Sequence, residues 1–110
     1  SRDPETVEAY ATDPLIYRDR YKRPLLEAEM LALDAFQADL AELTMPVLFC
    51  HGDDDPYVDY RTSLAAVEAM PSTDKTIRVY EGARHELVNE TNRDEVIDEI
   101  VMFVARVSAG

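Results

Sequence analysis

The chain has 110 residues, 46% of them hydrophobic, and a formal net charge of −12 from 23 acidic and 11 basic side chains. This fits one small globular domain and excludes a disordered chain. The acidic balance excludes a nucleic-acid footprint and a polybasic lipid anchor, and no apolar stretch reaches the length of a membrane-spanning helix.

A single cysteine, Cys50, cannot form an intramolecular disulfide, so a reducing cytoplasmic setting is the simplest expectation. No signal-peptide pattern opens the chain at Ser1-Arg2-Asp3-Pro4. The lack of an initiator Met raises the expectation of a fragment or a processed product.

The first element reads as a helix. Asp3 suits its N-cap, Pro4 its first position and Glu5 its positive end, with Val7 and Tyr10 on one face. Thr12-Asp13-Pro14 breaks it. Leu15-Ile16-Tyr17 follows as a short apolar patch in a loop, and Arg18 to Arg23 is charged and exposed. From Pro24 to about Leu43 the spacing of Leu26, Met30, Leu33 and Leu40 predicts a second helix, widened by Leu25, Ala32 and Phe36. Thr44 and Pro46 end it.

Val47-Leu48-Phe49-Cys50 is an apolar run without polar alternation, as in a strand buried on both faces. It stops in His51-Gly52-Asp53-Asp54-Asp55-Pro56. Asp59 then caps a helix carrying Leu64, Val67 and Met70 inward, and Pro71 to Asp74 stops it. Lys75 to Tyr80 alternates and is β-branched, hence a second strand. Glu81 to Arg84 is the loop that delivers His85. Thr91 or Asn92 caps a last helix whose apolar stripe includes Val96, Ile97, Ile100, Val101, Phe103, Val104 and Val107.

Strand, helix, strand, helix from Val47 onward is a βαβ unit with two parallel strands and a right-handed crossover. Two strands leave apolar faces and edges uncovered, so more strands are expected from another segment or a second copy.

In open α/β sheets functional groups gather beyond the carboxyl ends of the strands. The acidic loop and His85 both lie there. A carboxylate that orients a histidine, and a histidine that moves protons near neutral pH, are two members of a Ser-His-Asp triad. The residues alone do not choose among Asp53, Asp54 and Asp55. Asp59 is better used as a cap. The serines, Ser1, Ser63, Ser72 and Ser108, lie outside any G-x-S-x-G elbow, and no oxyanion loop of the His-Gly-Gly type is present. Cys50 ends an apolar strand and reads as an inert thiol. No second Cys or spaced His pair supports zinc, and the Ca²⁺-loop spacing is absent. No cofactor or metal is expected.

Four patterns carry a resemblance: Ser1-Arg2-Asp3; Asp13-Pro14-Leu15; Leu43 to Leu48 leading to His51-Gly52-x-x-Asp55; and Asp74-Lys75-Thr76 through Tyr80-Glu81-Gly82-x-x-His85. In these the chain resembles the C-terminal part of α/β-hydrolase-fold serine hydrolases of the monoacylglycerol lipase and lysophospholipase group. The resemblance implies Asp55 as the acid and His85 as the base, with the nucleophile before Ser1. It implies that 1–42 is the end of a helical cap or lid with its linking helix, and 43–110 the C-terminal part of the core. Leu15, Ile16 and Tyr17 then become candidates for contact with a fatty chain. Arg84 departs from the uncharged or aromatic residue more usual beside the base.

The expected parent is a carboxylic ester hydrolase acting on monoacylglycerols or lysophospholipids, cytoplasmic or peripheral to a membrane, completed by its N-terminal half. The 110 residues alone are expected to be inactive. One alternative is a non-catalytic α/β module that completes its sheet with a partner or a second copy. Another is a Mg²⁺-dependent phosphatase or receiver-type domain built on Asp53 to Asp55, which leaves His85 unexplained.

Overall fold

The apolar run after Pro46 forms the inner part of a parallel strand pair. The computed structural model describes residues 1–109. In chain order its main elements are α1 (Pro4–Thr12), α2 (Arg23–Asp39), β1 (Val47–Gly52), α3 (Tyr60–Ala69), β2 (Lys75–Tyr80) and α4 (Arg93–Ser108). The strands pair in parallel from Val47 opposite Lys75 to Gly52 opposite Tyr80. Strand β1 runs two residues beyond the expected Cys50 because the ladder, not apolarity, sets its end: His51 pairs with Val79 and Gly52 with Tyr80.

The crossover between the strands is α3. Its N-cap is Asp59, whose carboxylate accepts a hydrogen bond from the Arg61 N–H at 2.9 Å. Met70 was expected inside this helix but is its C-cap, extended at φ −62° and ψ 141°. Pro71 is the cause, since the residue before a proline avoids the α region. Met70 remains buried, in a cluster with Phe49 and Val67. The last helix, α4, packs with Val96 and Ile100 against Tyr80, Ala83 and Cys50. Successive strand residues point to opposite faces. Phe49 therefore meets α3 and Cys50 meets the α4 side, so the two helices cover opposite faces of the sheet.

Helices α1 and α2 precede the sheet. Asp3 caps α1 by accepting from the Glu5 N–H at 3.0 Å. Neither helix has a buried residue. Helix α2 ends at Asp39, short of the expected Leu43, and tightens into a 3₁₀ turn at Leu40–Glu42. The tighter turn brings Leu40 and Leu43 onto the Phe49 cluster. The expected cap of α4 falls at Asn92, but its side chain makes no capping bond; its amide donates to Glu95 at 3.1 Å instead. Among the described residues no helix is long and apolar enough to cross a membrane.

Candidate active site

The site begins with Gly52, where β1 ends. A Cβ there would lie 2.1 Å from the Ala83 carbonyl oxygen, so only glycine lets the loop after β2 come this close. Hydrogen bonds join the two loops at this point. The Asp53 N–H donates to the Tyr80 carbonyl at 3.2 Å and the Asp54 N–H to the Ala83 carbonyl at 3.1 Å. The Asp53 carboxylate accepts from the Gly82 N–H at 2.6 Å. Gly82 has φ +67°, the left-handed region that suits glycine.

The three acids separate cleanly. Asp53 holds the Gly82 turn. Asp54 is exposed and lies 3.6 Å from the guanidinium of Arg84, the residue before His85. Asp55 turns inward, with a side chain only 2% exposed. Its Oδ1 accepts from the Tyr57 N–H at 2.8 Å and the Val58 N–H at 3.2 Å. Its Oδ2 lies 2.8 Å from His85 Nδ1. Burial pushes the Asp55 carboxyl up, but the hydrogen bonds from His85, Tyr57 and Val58 outweigh it and hold the group below its ordinary range. An ionised carboxylate only accepts, so Nδ1 carries the proton in this contact. In neutral His85, Nε2 is then the free proton acceptor. The Tyr57 ring stands edge-on to the imidazole, 5.5 Å between centroids.

His51 approaches from the other side, its Nε2 3.8 Å from Asp55 Oδ2 and its ring stacked on Phe49. Its Nδ1 lies 2.9 Å from the Gly52 carbonyl oxygen, which fixes the proton on that nitrogen. A pocket of about 210 Å³ opens here, lined by Cys50, His51, Gly52, Asp55, His85 and Leu87. A second hollow, of about 270 Å³, lies between β2 and α4 and holds neither Asp55 nor His85. Burial pushes the Cys50 thiol up, the opposite of an activated nucleophile. No serine lines the pocket beside His85. Among the described residues, no group of three or more His, Cys, Asp or Glu side chains is placed to hold a metal ion.

The parallel strand pair with its flanking helices is an arrangement other proteins share. The family model for the serine aminopeptidases, S33 (Hydrolase_4), matches residues 1–92. The chain belongs to this S33 family. The monoacylglycerol lipase of Mycolicibacterium smegmatis is 32% identical over 104 residues, 94% of this chain and 37% of that protein. The human monoglyceride lipase is 33% identical over 111 residues, 99% of this chain and 37% of its own length. The crystal structure of the Paleococcus ferrophilus monoacylglycerol lipase matches with a TM-score of 0.85 at 27% identity, over 99% of this chain and 42% of that one. The S33 chain thus has a portion of an α/β-hydrolase fold and spans less than half the length of these relatives.

Leu15, Ile16 and Tyr17 lie just after α1. Leu15 and Tyr17 are exposed and Ile16 is half-buried, and none of the three lines the Asp55–His85 pocket.

The sequence reading of this S33 chain missed Glu90, whose side chain is fully buried. Its Oε1 accepts from the backbone N–H groups of Arg2 at 3.0 Å and Arg84 at 2.9 Å. Its Oε2 accepts from Arg2 Nε at 2.9 Å and the Thr91 N–H at 3.2 Å. Burial pushes this carboxyl up, but the four donors prevail and bring it down to about 2. A lone Glu in a polar stretch carries no such signal. The hint lay in Arg2, within the Ser1-Arg2-Asp3 pattern.

Proposed function

We propose that this chain supplies the acid and the base of a carboxylic ester hydrolase of the monoacylglycerol lipase type, with the nucleophilic serine on the segment that completes its sheet. The observation that carries this is the 2.8 Å contact between His85 Nδ1 and a buried, ionised Asp55 at the carboxyl edge of two parallel strands. Relatives named monoacylglycerol and monoglyceride lipases support the substrate class.

In this reading Nε2 of His85 takes the proton as the serine attacks the ester carbonyl, and returns it to the departing alcohol. Water then attacks the acyl-enzyme by the same route in reverse. Asp55 keeps the proton on Nδ1 and stabilises the imidazolium as it forms. Residues 43–110 act as the C-terminal part of the core. Residues 1–42 act as the end of a cap, with Leu15, Ile16 and Tyr17 facing an acyl chain. The exposed apolar surfaces of α2 and α4 are then faces that the rest of the enzyme covers.

The test is hydrolysis of a monoacylglycerol by the 110 residues alone, by the same chain with the N-terminal half of the hydrolase, and by that assembly with His85→Ala. The expected results are no turnover, turnover, and loss of turnover. Full activity in the His85→Ala assembly, or turnover by the 110 residues alone, would sink the proposal.

A further inference from the structure

We propose that Glu90 and Arg2 form a clamp that positions His85, making Glu90 a positioning residue for the base, an inference that rests on His85 being that base.

His85 lies on a loop running from Gly82 to Glu90. Its ring is held by Asp55 and flanked by Tyr57, while its side chain is 51% exposed. The direction of the ring therefore depends on the backbone that carries it. Glu90 closes that backbone on itself: its Oε1 binds the N–H of Arg84, the residue immediately before the base. A 3₁₀ turn at Leu87–Asn89 leads from His85 to Glu90.

Arg2 reaches this loop from 88 residues away. Its guanidinium binds Glu90 and lies beside Gly82, where an added Cβ would be 3.0 Å from Nη1. One side chain thus touches both ends of the base loop. The same segment grips the far end of the loop again. The Ser1 hydroxyl donates to the Asn89 carbonyl at 2.6 Å, and the Arg2 Nη2 to Asn92 Oδ1 at 3.2 Å. A buried carboxylate with four donors is costly to disturb, so the backbone around His85 has a fixed reference point. Ser1 and Arg2 thereby set the geometry of the base.

The experiment compares Glu90→Gln with the wild type in the intact hydrolase, with active sites counted by a fluorophosphonate label. The substituted amide keeps the size of the side chain but lacks the charge and one acceptor oxygen. A positioning role predicts a fall of about 10- to 100-fold in kcat per labelled site with KM little changed. It also predicts a displaced or broadened low-field Nδ1–H resonance of His85. If Glu90→Gln does not fold, Arg2→Gln takes its place, because it leaves Glu90 its Arg84 and Thr91 donors. The same kcat loss and resonance change are expected, with Arg2→Lys restoring part of the rate. Lower thermal stability with kcat and the His85 resonance unchanged would overturn the inference while leaving the hydrolase reading intact. A wild-type protein without ester turnover would remove the hydrolase reading instead, and the resonance would still decide whether Glu90 and Arg2 orient His85.

Discussion

The α-carbon of Gly52 faces the Ala83 carbonyl so closely that a methyl group would lie 2.1 Å from the oxygen and 2.5 Å from the carbonyl carbon. The loop that carries Asp55 and the loop that carries His85 meet at this contact. Because the obstructing atoms are backbone, no rotamer change relieves a larger residue. Gly52→Ala is expected to cost at least about 2 kcal/mol in denaturant unfolding and to move His85 away from Asp55. An unchanged unfolding midpoint would count against this.

Asp55→Asn tests the proton on His85. The amide oxygen still accepts from Tyr57 and Val58, so the turn survives. The amide NH₂ then faces His85 and favours the tautomer with the proton on Nε2, which cannot accept the serine's proton. In the proposed hydrolase kcat is expected to fall about 10⁴-fold with the fold retained. Steady-state kinetics alongside circular dichroism checks both halves of that statement.

Acid should weaken the fold in a defined window. Asp55 and Glu90 both sit below their ordinary values, so the unfolded chain binds more protons than the folded one as pH falls. Their contribution is fully present above the unfolded values and is lost as pH drops through the folded ones. For Glu90 the window runs from its ordinary 4.5 down to about 2. Its contribution is on the order of 3 kcal/mol by linkage. Urea midpoints measured from pH 6 to pH 3 should fall, and Glu90→Gln should flatten the slope.

Ile97, Val101 and Val104 recur at i, i+4 and i+7 on α4, and all three are exposed. In the proposed hydrolase they are covered by the rest of the enzyme. The isolated 110 residues are therefore expected to bind a hydrophobic dye and to scatter light as more than a 12.5 kDa species; on adding the N-terminal half the dye signal should vanish and the scattering should become that of a one-to-one complex. A dye-silent monomer would show that α4 needs no cover. A stable stoichiometric oligomer that excludes the N-terminal half would favour a non-catalytic module.

The strands and the α3 crossover were legible because their signals are local: an apolar run, a β-branched alternation and an Asp at the cap. The edges of elements depend on partners instead. Strand β1 reaches Gly52 because β2 still pairs with it, and α2 stops at Asp39 because Leu40 and Leu43 turn to a core built by Phe49. The Asp55–His85 contact was partly legible. Position after a strand marks all three acids equally, and only packing gives one to Gly82, one to Arg84 and one to His85. Glu90 was not legible from the residues, because its partner Arg2 is 88 positions away and neither sits in a periodic pattern.

The in-register pairing of β1 with β2 has a consequence for how this part of the fold tolerates change. Asp55 and His85 are 30 residues apart along the chain but sit on the loops that follow two neighbouring strands. Their separation is set by one inter-strand spacing and by two loops pinned to each other at Gly52 and Ala83. The length of the crossover does not enter it. Helix α3 can exchange its outer residues, so long as Leu64 and Val67 keep their place on the Phe49 cluster, and the carboxylate and the imidazole remain at the same reach.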